Sequence, residues 1–528
     1  MAQEKLRVLV TDGLSPKGVE ILRNCPRIDV QVVEKADPKE LPQVLCDFDG
    51  LVVRSATKVT REALAKTRRL KVIGRAGVGV DNIDVAAATE RGVIVMNTPL
   101  GNINSAAEHA LALLFATARD IAAADRSLRA GRWDRKSFVG VELSGKVLGI
   151  IGMGKIGQIV CNAALALSME VIACDPYLAR EKAEAMGAKL VEMDDLLARS
   201  DFITIHTPLS DKTRGMIGAG EIAKMKKTAR LVNCARGGIV DEKALAEALA
   251  AGKIARAGVD VFAEEPTTAS PLFELASATV TPHLGASTEE AQLRVAEDIA
   301  LQMVEFFEKG VAKNAVNLAA ALDPKLAPFA RLAEKLGRIA SQMSGPHAAA
   351  IEAVCRGEIA KGDVEAIAMY ALQGMLRAST DELVNMVNAP LVAARRGIAL
   401  KQSRSSDAGN YRNEIEVRVS AEDGLHCVAG TIFEDSNERL VRIGDLDVDL
   451  RPADHMLVMF YPDRPGMIGK FGTILGAHGI NIAAMEVGRK AKRGQAVVVL
   501  TLDDEVPDAV VAELRQKAGV ERASVIRL

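Results

Sequence analysis

The sequence is poor in aromatic residues and has no surplus of either charge. Of its 528 residues one is Trp and four are Tyr, and 67 Lys and Arg are balanced by 69 Asp and Glu. A net charge of −2 gives no general attraction for a phosphate backbone or an anionic bilayer. No basic segment with interleaved aromatic side chains is present to stack on bases. We therefore expect neither nucleic acid nor a membrane as a partner.

Long hydrophobic runs and paired cysteines are also missing. The longest apolar stretch, Ala110 to Ala118, is about half a membrane span and is typical of a buried helix. The cysteines are scattered and never form a Cys-x-x-Cys pair, so we expect no disulfide framework and no metal site. The segment MAQEKLRVLVTDG is charged where a signal peptide would be apolar. Together these features predict a protein of the reducing cytoplasm. The seven cysteines are at positions 25, 46, 161, 174, 234, 355 and 427.

What the sequence does contain is a long alternation of strand and helix patterns. The segments LRVLVTDG, IDVQVVE, DGLVVRS, LKVIGRAG and VIVMNTP alternate with helical stretches. A helix from Ser105 to Ala124, capped by Asn104 or by Ser105 with Glu108 in a capping box, leads into a second series. That series runs KVLGIIG, MEVIACD, DFITIHTP, ARLVNCARG, RAGVDVF and SATVTPH. The pattern predicts two doubly wound, Rossmann-like α/β domains, with a helix over Glu289 to Lys309 that returns the chain to the first.

The last two hundred residues have a different pattern. Residues 313–453 combine helix-prone, Ala-rich segments with alternating ones such as NEIEVRVS and VAGTIFE, which predicts an α+β domain. This region shows no chemical motif, so a spacer or an oligomer contact is the alternative to a ligand-binding role. From residue 454 the order of elements is βαββαβ, which predicts a compact ferredoxin-like unit over 454–528.

A dinucleotide site is predicted where strand KVLGII meets GMGKIG. Gly152, Gly154 and Gly157 have the spacing that gives a tight turn, a close approach of the pyrophosphate and close helix–strand packing. Asp175 ends the next strand, 18 residues after Gly157, where a carboxylate binds ribose hydroxyls and repels a 2′-phosphate. The pattern therefore favours NAD over NADP. The alternative is a purely structural βαβ turn.

Three residues near the carboxyl ends of the later strands suit the oxidation of a hydroxy acid. Arg236 offers a planar fork for a carboxylate. His283 is able to take a hydroxyl proton near neutral pH. Glu265 is able to orient the imidazole and stabilise its protonated form. Taken singly, a loop Arg or Glu is usually a solvated charge and a His after Pro often only ends a strand; the combination on successive strand ends favours catalysis.

These segments make the chain resemble the D-isomer-specific 2-hydroxyacid dehydrogenase family. The motifs are GMGKIG, DFITIHTPL, LVNCARGGIVDE, VDVFAEEP and TPHLGAST, and the resemblance covers residues 1 to about 312. It implies a discontinuous substrate domain (1–98 and 290–312) around an NAD domain (99–289), with Arg236, Glu265 and His283 in the roles given above. It also implies a set of cofactor-binding positions. These are Val78, Gly152, Gly154, Lys155, Ile156, Gly157, Asp175, Thr207, Cys234, Asp260, His283, Leu284, Gly285 and Ala286.

The choice of substrate depends on the first domain and on the C-terminal extension. Arg54 and Arg75 end strands that should face the cleft and are candidates to bind a phosphate or carboxylate, and Arg135 is a candidate to reach a neighbouring subunit's site. All three have the alternative of being ordinary surface charges. PDRPGMIGKFGTILGAHGINIAAM resembles the ACT domain, a small-molecule sensor. Within the family, this architecture implies 3-phosphoglycerate as the substrate, oxidised with NAD at the first step of L-serine biosynthesis.

The same resemblance implies L-serine as an effector. It places Asp463 on the amino group of serine and Asn481 on its oxygens, with Tyr461 as a further contact; the alternative is that Asp463 and Asn481 only form turns. We expect a homo-oligomer, with a tetramer favoured. Two other functions remain open from the sequence: a dehydrogenase of an unphosphorylated 2-hydroxy acid, and an NAD-sensing regulator without turnover.

Overall fold

The first sheet is parallel, and its three central strands are largely buried on both faces. The computed structural model describes residues 5–318, 323–345, 347–380, 382–434 and 437–528, so the first four residues of the charged N-terminal segment lie outside it. Strand order is β2-β1-β3-β4-β5, with every neighbouring pair parallel. The strands are β1 (Leu6–Val10), β2 (Ile28–Val32), β3 (Gly50–Val53), β4 (Val72–Arg75) and β5 (Ile94–Met96). The helices are α1 (Pro16–Arg23), α2 (Leu41–Val44), α3 (Arg61–Leu64) and α4 (Val85–Glu90), and Leu45–Asp47 forms a 3-10 turn.

The second sheet is also parallel, in the order β12-β11-β10-β9-β6-β7-β8. Helices α5 (Ile103–Arg119) and α6 (Ile121–Arg129) precede it. Its strands are β6 (Val147–Ile151), β7 (Glu170–Cys174), β8 (Ala188–Leu190), β9 (Phe202–Ile205), β10 (Arg230–Asn233), β11 (Arg256–Val259) and β12 (Ala278–Val280). Its helices are α7 (Lys155–Ala166), α8 (Arg180–Ala185), α9 (Met193–Arg199), α10 (Ala219–Lys224) and α11 (Glu242–Ala250), followed by α12 (Glu289–Lys309).

Helix α12 packs on the first sheet, as the sequence predicts. Glycines let it approach the strands: a Cβ on Gly50 would lie 2.9 Å from Met303 Cε, and one on Gly74 would lie 2.8 Å from Ile299 Cγ1. Phe307 packs into the same core. The small residues of β3 and β4 therefore set the distance between the helix and the sheet.

The long helix predicted over Ser105 to Ala124 is broken. Asp120 adopts a left-handed conformation (φ 51°) between α5 and α6, and its carboxylate forms an ion pair with Arg256. The capping box was also wrong, because the helix begins at Ile103 and Ser105 lies inside it. The Ser105 hydroxyl instead hydrogen-bonds to that of Thr288, the N-cap of α12, over 2.7 Å. Ser105 thus links α5 to the start of α12, the two helices that connect the first and second sheets.

The third sheet has the order β14-β13-β15-β16-β17-β18 and is antiparallel except between β13 and β14. Helices α13 and α14 cross at close range, because a Cβ on Gly337 would lie 2.0 Å from Ala371 O and one on Gly374 would lie 1.9 Å from Glu334 O. The helices are α13 (Ala327–Met343), α14 (Val364–Ser379) and α15 (Ala389–Arg395), with 3-10 turns at Pro324–Leu326 and Glu358–Lys361. The strands are β13 (Ala350–Gly357), β14 (Ala399–Ser405), β15 (Asn413–Ala421), β16 (Gly424–Phe433), β17 (Asn437–Ile443) and β18 (Leu446–Leu450).

The C-terminal sheet is antiparallel with the order β20-β21-β19-β22, which is the ferredoxin-like arrangement. Its strands are β19 (His455–Pro462), β20 (Ile482–Arg489), β21 (Gln495–Leu502) and β22 (Arg522–Arg527), and its helices are α16 (Met467–Ala477) and α17 (Asp508–Ala518). One face packs on the two helices. The other face shares a single core with the third sheet and α13. It contributes Met456, Val458, Phe460, Val497, Val499 and Ile526 to that core.

The predicted fold class is confirmed: two Rossmann-like parallel sheets, an α+β region and a ferredoxin-like unit. The exact domain limits stay a prediction. Within the described residues, the helices lack the combination of length and apolarity that crossing a membrane requires.

Candidate active site and effector site

A histidine and a glutamate meet beyond the end of the second sheet. His283 Nδ1 lies 2.5 Å from Glu265 Oε2, and the second Glu265 oxygen accepts the Phe262 N–H over 2.8 Å. Burial opposes ionisation of Glu265, but the hydrogen bonds from His283 and Phe262 outweigh it and lower the pKa of the carboxyl. An ionised Glu265 accepts the Nδ1 proton, which leaves Nε2 of the neutral ring as a proton acceptor. The pair has the geometry of a general base and its partner.

The backbone holds His283 in place. Its φ of 55° is uncommon for a non-glycine residue, and its N–H donates to Asp260 O over 2.8 Å. The two following amides, of Leu284 and Gly285, donate to the Asp260 carboxylate over 2.7 and 2.9 Å. A buried Asp260 therefore fixes the turn that carries the imidazole.

Three arginines form a positive cluster between the first and second sheets. Arg54 and Arg75 stand at the ends of β3 and β4, and Arg236 follows β10. Burial lowers the pKa of Arg75 to about 10, and the positive charges of Arg236 and Arg54 add to the effect. Arg236 Nε reaches across to Asp81 Oδ2 over 3.3 Å. Cations that repel one another at a partly buried site are typical of a place that binds a multiply charged anion.

Glycines allow this cluster to form. A Cβ on Gly77 would lie 1.4 Å from Arg75 Nη1, so the guanidinium folds back over the loop. A Cβ on Gly237 would lie 1.8 Å from Phe262 O. Because Phe262 donates to Glu265, this close approach brings the loop of Arg236 against the loop of Glu265. The carboxylate anchor and the His partner therefore belong to one site.

The turn between β6 and α7 fits a dinucleotide. Gly152 has a φ of 92° and a Cβ there would lie 2.9 Å from His206 O, whereas a Cβ on Gly154 would meet open space. A Cβ on Gly157 would lie 2.2 Å from Gly152 O. Gly154 is the N-cap and makes no side-chain cap bond, so the first amides of α7, from Lys155 and Ile156, are available to a phosphate.

A buried hydroxyl next to this turn also fits a bound phosphate. Thr207 Oγ1 is buried and has no hydrogen-bond partner among the described residues. Such a group normally finds a partner, and a pyrophosphate oxygen would supply one. Asp175 follows β7, and its oxygens accept the N–H groups of Met153 and Tyr177 over 2.8 and 2.9 Å. Each oxygen keeps a lone pair for a ribose hydroxyl. The residues present fit NAD.

Asp260 is the centre of a second group of predicted cofactor residues. It accepts from Thr281 Oγ1 at 2.6 Å and contacts His109 Nε2 at 3.2 Å and Cys234 Sγ at 3.6 Å. Burial opposes its ionisation, but the hydrogen bonds lower the pKa of the carboxyl overall. Burial and the nearby Asp260 charge raise the pKa of the Cys234 thiol, which keeps it protonated. The donor atoms of His109, Cys234 and Asp260 lie within 4.8 Å of one another, but hydrogen bonds already occupy the carboxylate.

Two predicted residues have few contacts with this site. Val78 O accepts the Asn97 side-chain amide over 2.6 Å in the loop after β4. Arg135 lies in an exposed loop after α6 and makes no hydrogen bond or ion pair with the described residues. Its predicted contact with a neighbouring subunit stays a prediction.

Sequence reasoning missed Asp81, His109 and His206. Burial lowers the pKa of His206 to about 4, so its ring is neutral, and Nε2 lies 3.0 Å from Thr204 Oγ1. Asp81 contacts Arg236 and His109 contacts Asp260, and each partner is far away in the sequence. No local sequence pattern therefore indicates these two residues. The segment FITIH, which ends a strand at the sheet's functional edge, was the available signal for His206.

Two of the three predicted effector residues line a cavity of about 550 Å³ beside α16. Tyr461 and Asp463 line it, whereas Asn481 is not among the described residues that do. Asp463 Oδ2 accepts from Arg489 Nη1 over 2.6 Å, and this bond lowers the pKa of the carboxyl. Asn481 Nδ2 donates to Asp503 Oδ2 over 2.6 Å. In a single chain Asp463 and Asn481 are therefore already engaged by other residues.

Comparison with known proteins agrees with this geometry. A model of the D-isomer specific 2-hydroxyacid dehydrogenase NAD binding domain matches residues 111–285. The D-3-phosphoglycerate dehydrogenase intervening domain matches 325–444, and the ACT domain matches 455–519. The fold and the site thus define an NAD-dependent dehydrogenase of 2-hydroxy acids.

Sequence relatives show to which group of 2-hydroxyacid dehydrogenases the chain belongs. The chain is 40% identical over 527 residues to a D-3-phosphoglycerate dehydrogenase of Synechocystis, covering 99% of this chain and 95% of that one. It is 42% identical over 527 residues to the enzyme of that name from Methanocaldococcus jannaschii, covering 99% and 100%. The crystal structure of an Aquifex aeolicus D-lactate dehydrogenase with NAD and lactic acid matches 58% of this chain and 98% of that chain, with a TM-score of 0.53 and 28% identity. The chain belongs to the D-3-phosphoglycerate dehydrogenases of the D-isomer-specific 2-hydroxyacid dehydrogenase family.

Proposed function

We propose that the protein oxidises D-3-phosphoglycerate to 3-phosphohydroxypyruvate with NAD, as the first step of L-serine biosynthesis. The observation that carries the proposal is the cluster of Arg54, Arg75 and Arg236. Burial and mutual repulsion lower the pKa of Arg75 to about 10. Keeping these guanidinium groups charged is therefore unfavourable unless an anion binds beside them. The substrate supplies a carboxylate and a phosphate, so it neutralises more than one guanidinium.

In the proposed reaction His283 is the general base. Its Nε2 takes the proton of the C2 hydroxyl while the C2–H bond breaks and the carbon–oxygen double bond forms. Glu265 stabilises the imidazolium through its 2.5 Å contact with Nδ1. Arg236 holds the substrate carboxylate in two hydrogen bonds and so fixes C2 relative to the base. NAD, held at the turn of Gly152 and Gly154 and by Asp175, would supply the hydride acceptor. Arg54 and Arg75 take the phosphate.

We further propose that the C-terminal unit senses L-serine and lowers activity when serine binds. A ligand shifts a conformational equilibrium only when it binds the two states unequally. The exposed edge strand β20, which carries Met485 at 42% and Val487 at 36% exposure, is a surface on which a second copy can pair. Assembly into a homo-oligomer, with a tetramer favoured, is part of the proposal, as is a cytoplasmic location.

The experiment that tests the activity follows NADH fluorescence after NAD and D-3-phosphoglycerate are added, with the keto product trapped. Unphosphorylated glycerate is the matched control. Turnover that requires the phosphate supports the proposal. Equal rates with glycerate would show a dehydrogenase of an unphosphorylated 2-hydroxy acid. NAD binding without turnover of either acid would indicate an NAD-sensing regulator.

A further inference from the structure

The cavity beside α16 has far more positive charge than an amino acid requires. Four basic residues line it, Arg464, Arg489, Lys492 and Arg493, against the single carboxylate of Asp463. Arg489 is paired with that carboxylate. The side chains of Arg464, Lys492 and Arg493 have no ion pair or hydrogen bond with any described residue. Three uncompensated cations therefore surround one opening.

The backbone adds donors to the same opening. Helix α16 begins at Met467 with Gly466 as its N-cap, and no side chain caps it. Ile468 and Gly469, in its first turn, line the cavity, and a Cβ on Gly469 would meet open space. Amides in the first turn of a helix lack intrahelical acceptors and favour negative charge. Cations and amides here point to the same kind of ligand.

An unpaired tyrosine hydroxyl points to a ligand independently of the charges. Tyr461 lines the cavity although only 2% of its surface is exposed, and its ring packs edge-on against Phe471 with centroids 5.1 Å apart. Its hydroxyl has no hydrogen-bond partner among the residues the structure describes. Tyrosine hydroxyls at buried positions usually find a partner, and a ligand in the cavity would supply one.

We infer that this cavity binds a small phosphorylated anion, through Arg464, Lys492, Arg493, the Tyr461 hydroxyl and the first amides of α16. The inference rests on the proposed effector role of the C-terminal unit and adds a second ligand class to it. Phosphate fits better than a carboxylate because it is dianionic near neutral pH and offers more acceptor oxygens than a carboxylate. Free inorganic phosphate and a phosphomonoester share this chemistry.

The test is equilibrium dialysis of the full chain against labelled inorganic phosphate, repeated with 3-phosphoglycerate to separate the two sources. Phosphate also binds the catalytic arginines, so the wild type should show two sites. Arg464→Gln combined with Arg493→Gln should weaken one of them roughly 10-fold or more, because two charge-assisted contacts are lost. Lys517→Gln is the control: it removes the same kind of charge from α17, where Lys517 pairs with Glu513 at 2.8 Å.

A second variant is expected to strengthen phosphate binding, which neither misfolding nor the loss of serine binding would do. Asp463→Asn removes the cavity's carboxylate and frees Arg489, so it should tighten phosphate binding several-fold while abolishing serine binding. Loss of serine binding alone, with phosphate binding unchanged in every variant, would overturn the anion site and leave the serine proposal standing. If the wild type binds no serine but phosphate binding changes in the variants as expected, the anion site stands and the serine proposal fails. A wild type with a single phosphate site that is unchanged in the Arg464→Gln/Arg493→Gln variant would also overturn the inference.

Discussion

At the scale of single residues, the His283–Glu265 pair is distinguished from other His–carboxylate pairs by its surroundings. The same chain contains His478 Nε2 at 2.8 Å from Glu513 Oε2, on the surface of the C-terminal unit. Of these two pairs, only His283–Glu265 lies at the sheet edge with the predicted cofactor residues, against the loop of Arg236. Position in the sheet, rather than the contact itself, gives the pair its predicted role.

We expect His283→Ala to lower turnover by roughly two to four orders of magnitude, the usual contribution of a general base, while NAD binding is retained. The assay is NADH formation with 3-phosphoglycerate, alongside NADH binding by fluorescence. His478→Ala is the control and should leave turnover unchanged. Near-normal turnover in His283→Ala would remove His283 from the mechanism.

Cofactor choice is also set by one side chain. Asp175→Ser combined with Tyr177→Arg should raise the preference for NADP by roughly 10-fold or more, because a repulsive carboxylate is replaced and a charged donor is added. Tyr177 is 86% exposed, so the substitution disturbs no core. The ratio of kcat/KM for the two cofactors is the measurement, with Tyr177→Arg alone as the control. A wild type that uses NADP as well as NAD would contradict this role of Asp175.

At the scale of elements, the α13–α14 pair depends on two glycines. Gly374→Ala would place a Cβ 1.9 Å from Glu334 O, so the helices must separate, and overpacking of this kind costs about 1–3 kcal/mol. We expect faster hydrogen exchange in both helices and a lower midpoint of thermal unfolding. Gly220→Ala in α10 meets nothing within 4 Å and should be neutral or slightly stabilising. Equal stability of the two variants would show that α13 and α14 adapt freely.

The third sheet contains a buried charge network with its own pH dependence. Glu416 is 6% exposed and accepts from Arg356 Nη2 over 2.6 Å and Arg418 Nη2 over 3.0 Å. Burial raises the pKa of Glu416, but these bonds outweigh it and hold the pKa below the ordinary value of 4.5. A depressed pKa stabilises the fold above pH 4.5, and this contribution is lost as the pH falls below it.

Glu416→Gln should therefore destabilise the protein near pH 7 by up to about 3 kcal/mol, because Arg356 and Arg418 each lose one of two carboxylate partners. The difference from the wild type should shrink as the pH is lowered through 4 toward the depressed pKa. Urea unfolding at a series of pH values measures it. Glu505→Gln, which breaks an ion pair to Arg527 on the surface, is the control with little effect. A constant difference across the pH range would rule out this assignment.

The sequence predicts elements better than it predicts contacts between them. Buried runs such as FITI and RLVN indicate parallel strands, and GMGKIG indicates the turn, because these signals are local. The break at Asp120 depends on Arg256, which lies 136 residues away, and the pairing of Arg236 with Asp81 depends on two sheets meeting. Asp463 was expected to be free for a ligand, yet it is held by Arg489 from another strand. Such partners are fixed by tertiary packing, which periodicity does not encode.

At the scale of the whole molecule, the serine proposal gives a separate expectation. Asp463→Ala should abolish serine binding, because the carboxylate is the proposed partner of the ammonium group. Equilibrium dialysis with labelled serine, beside an inhibition assay, measures it. Asp504→Ala removes an exposed carboxylate of the same unit and should bind serine normally. Absence of serine binding at millimolar concentrations in the wild type would leave the unit without its proposed effector.

The shared core between the third sheet and the C-terminal sheet has a consequence for how such a chain is inherited. Cutting near residue 453 would uncover six large apolar side chains, and re-exposing that face to water costs on the order of 10 kcal/mol. A gene fusion that delivered only the last 75 or so residues would therefore yield a protein prone to aggregate. The third-sheet region and the C-terminal unit are therefore expected to be inherited as one piece, gained together or lost together.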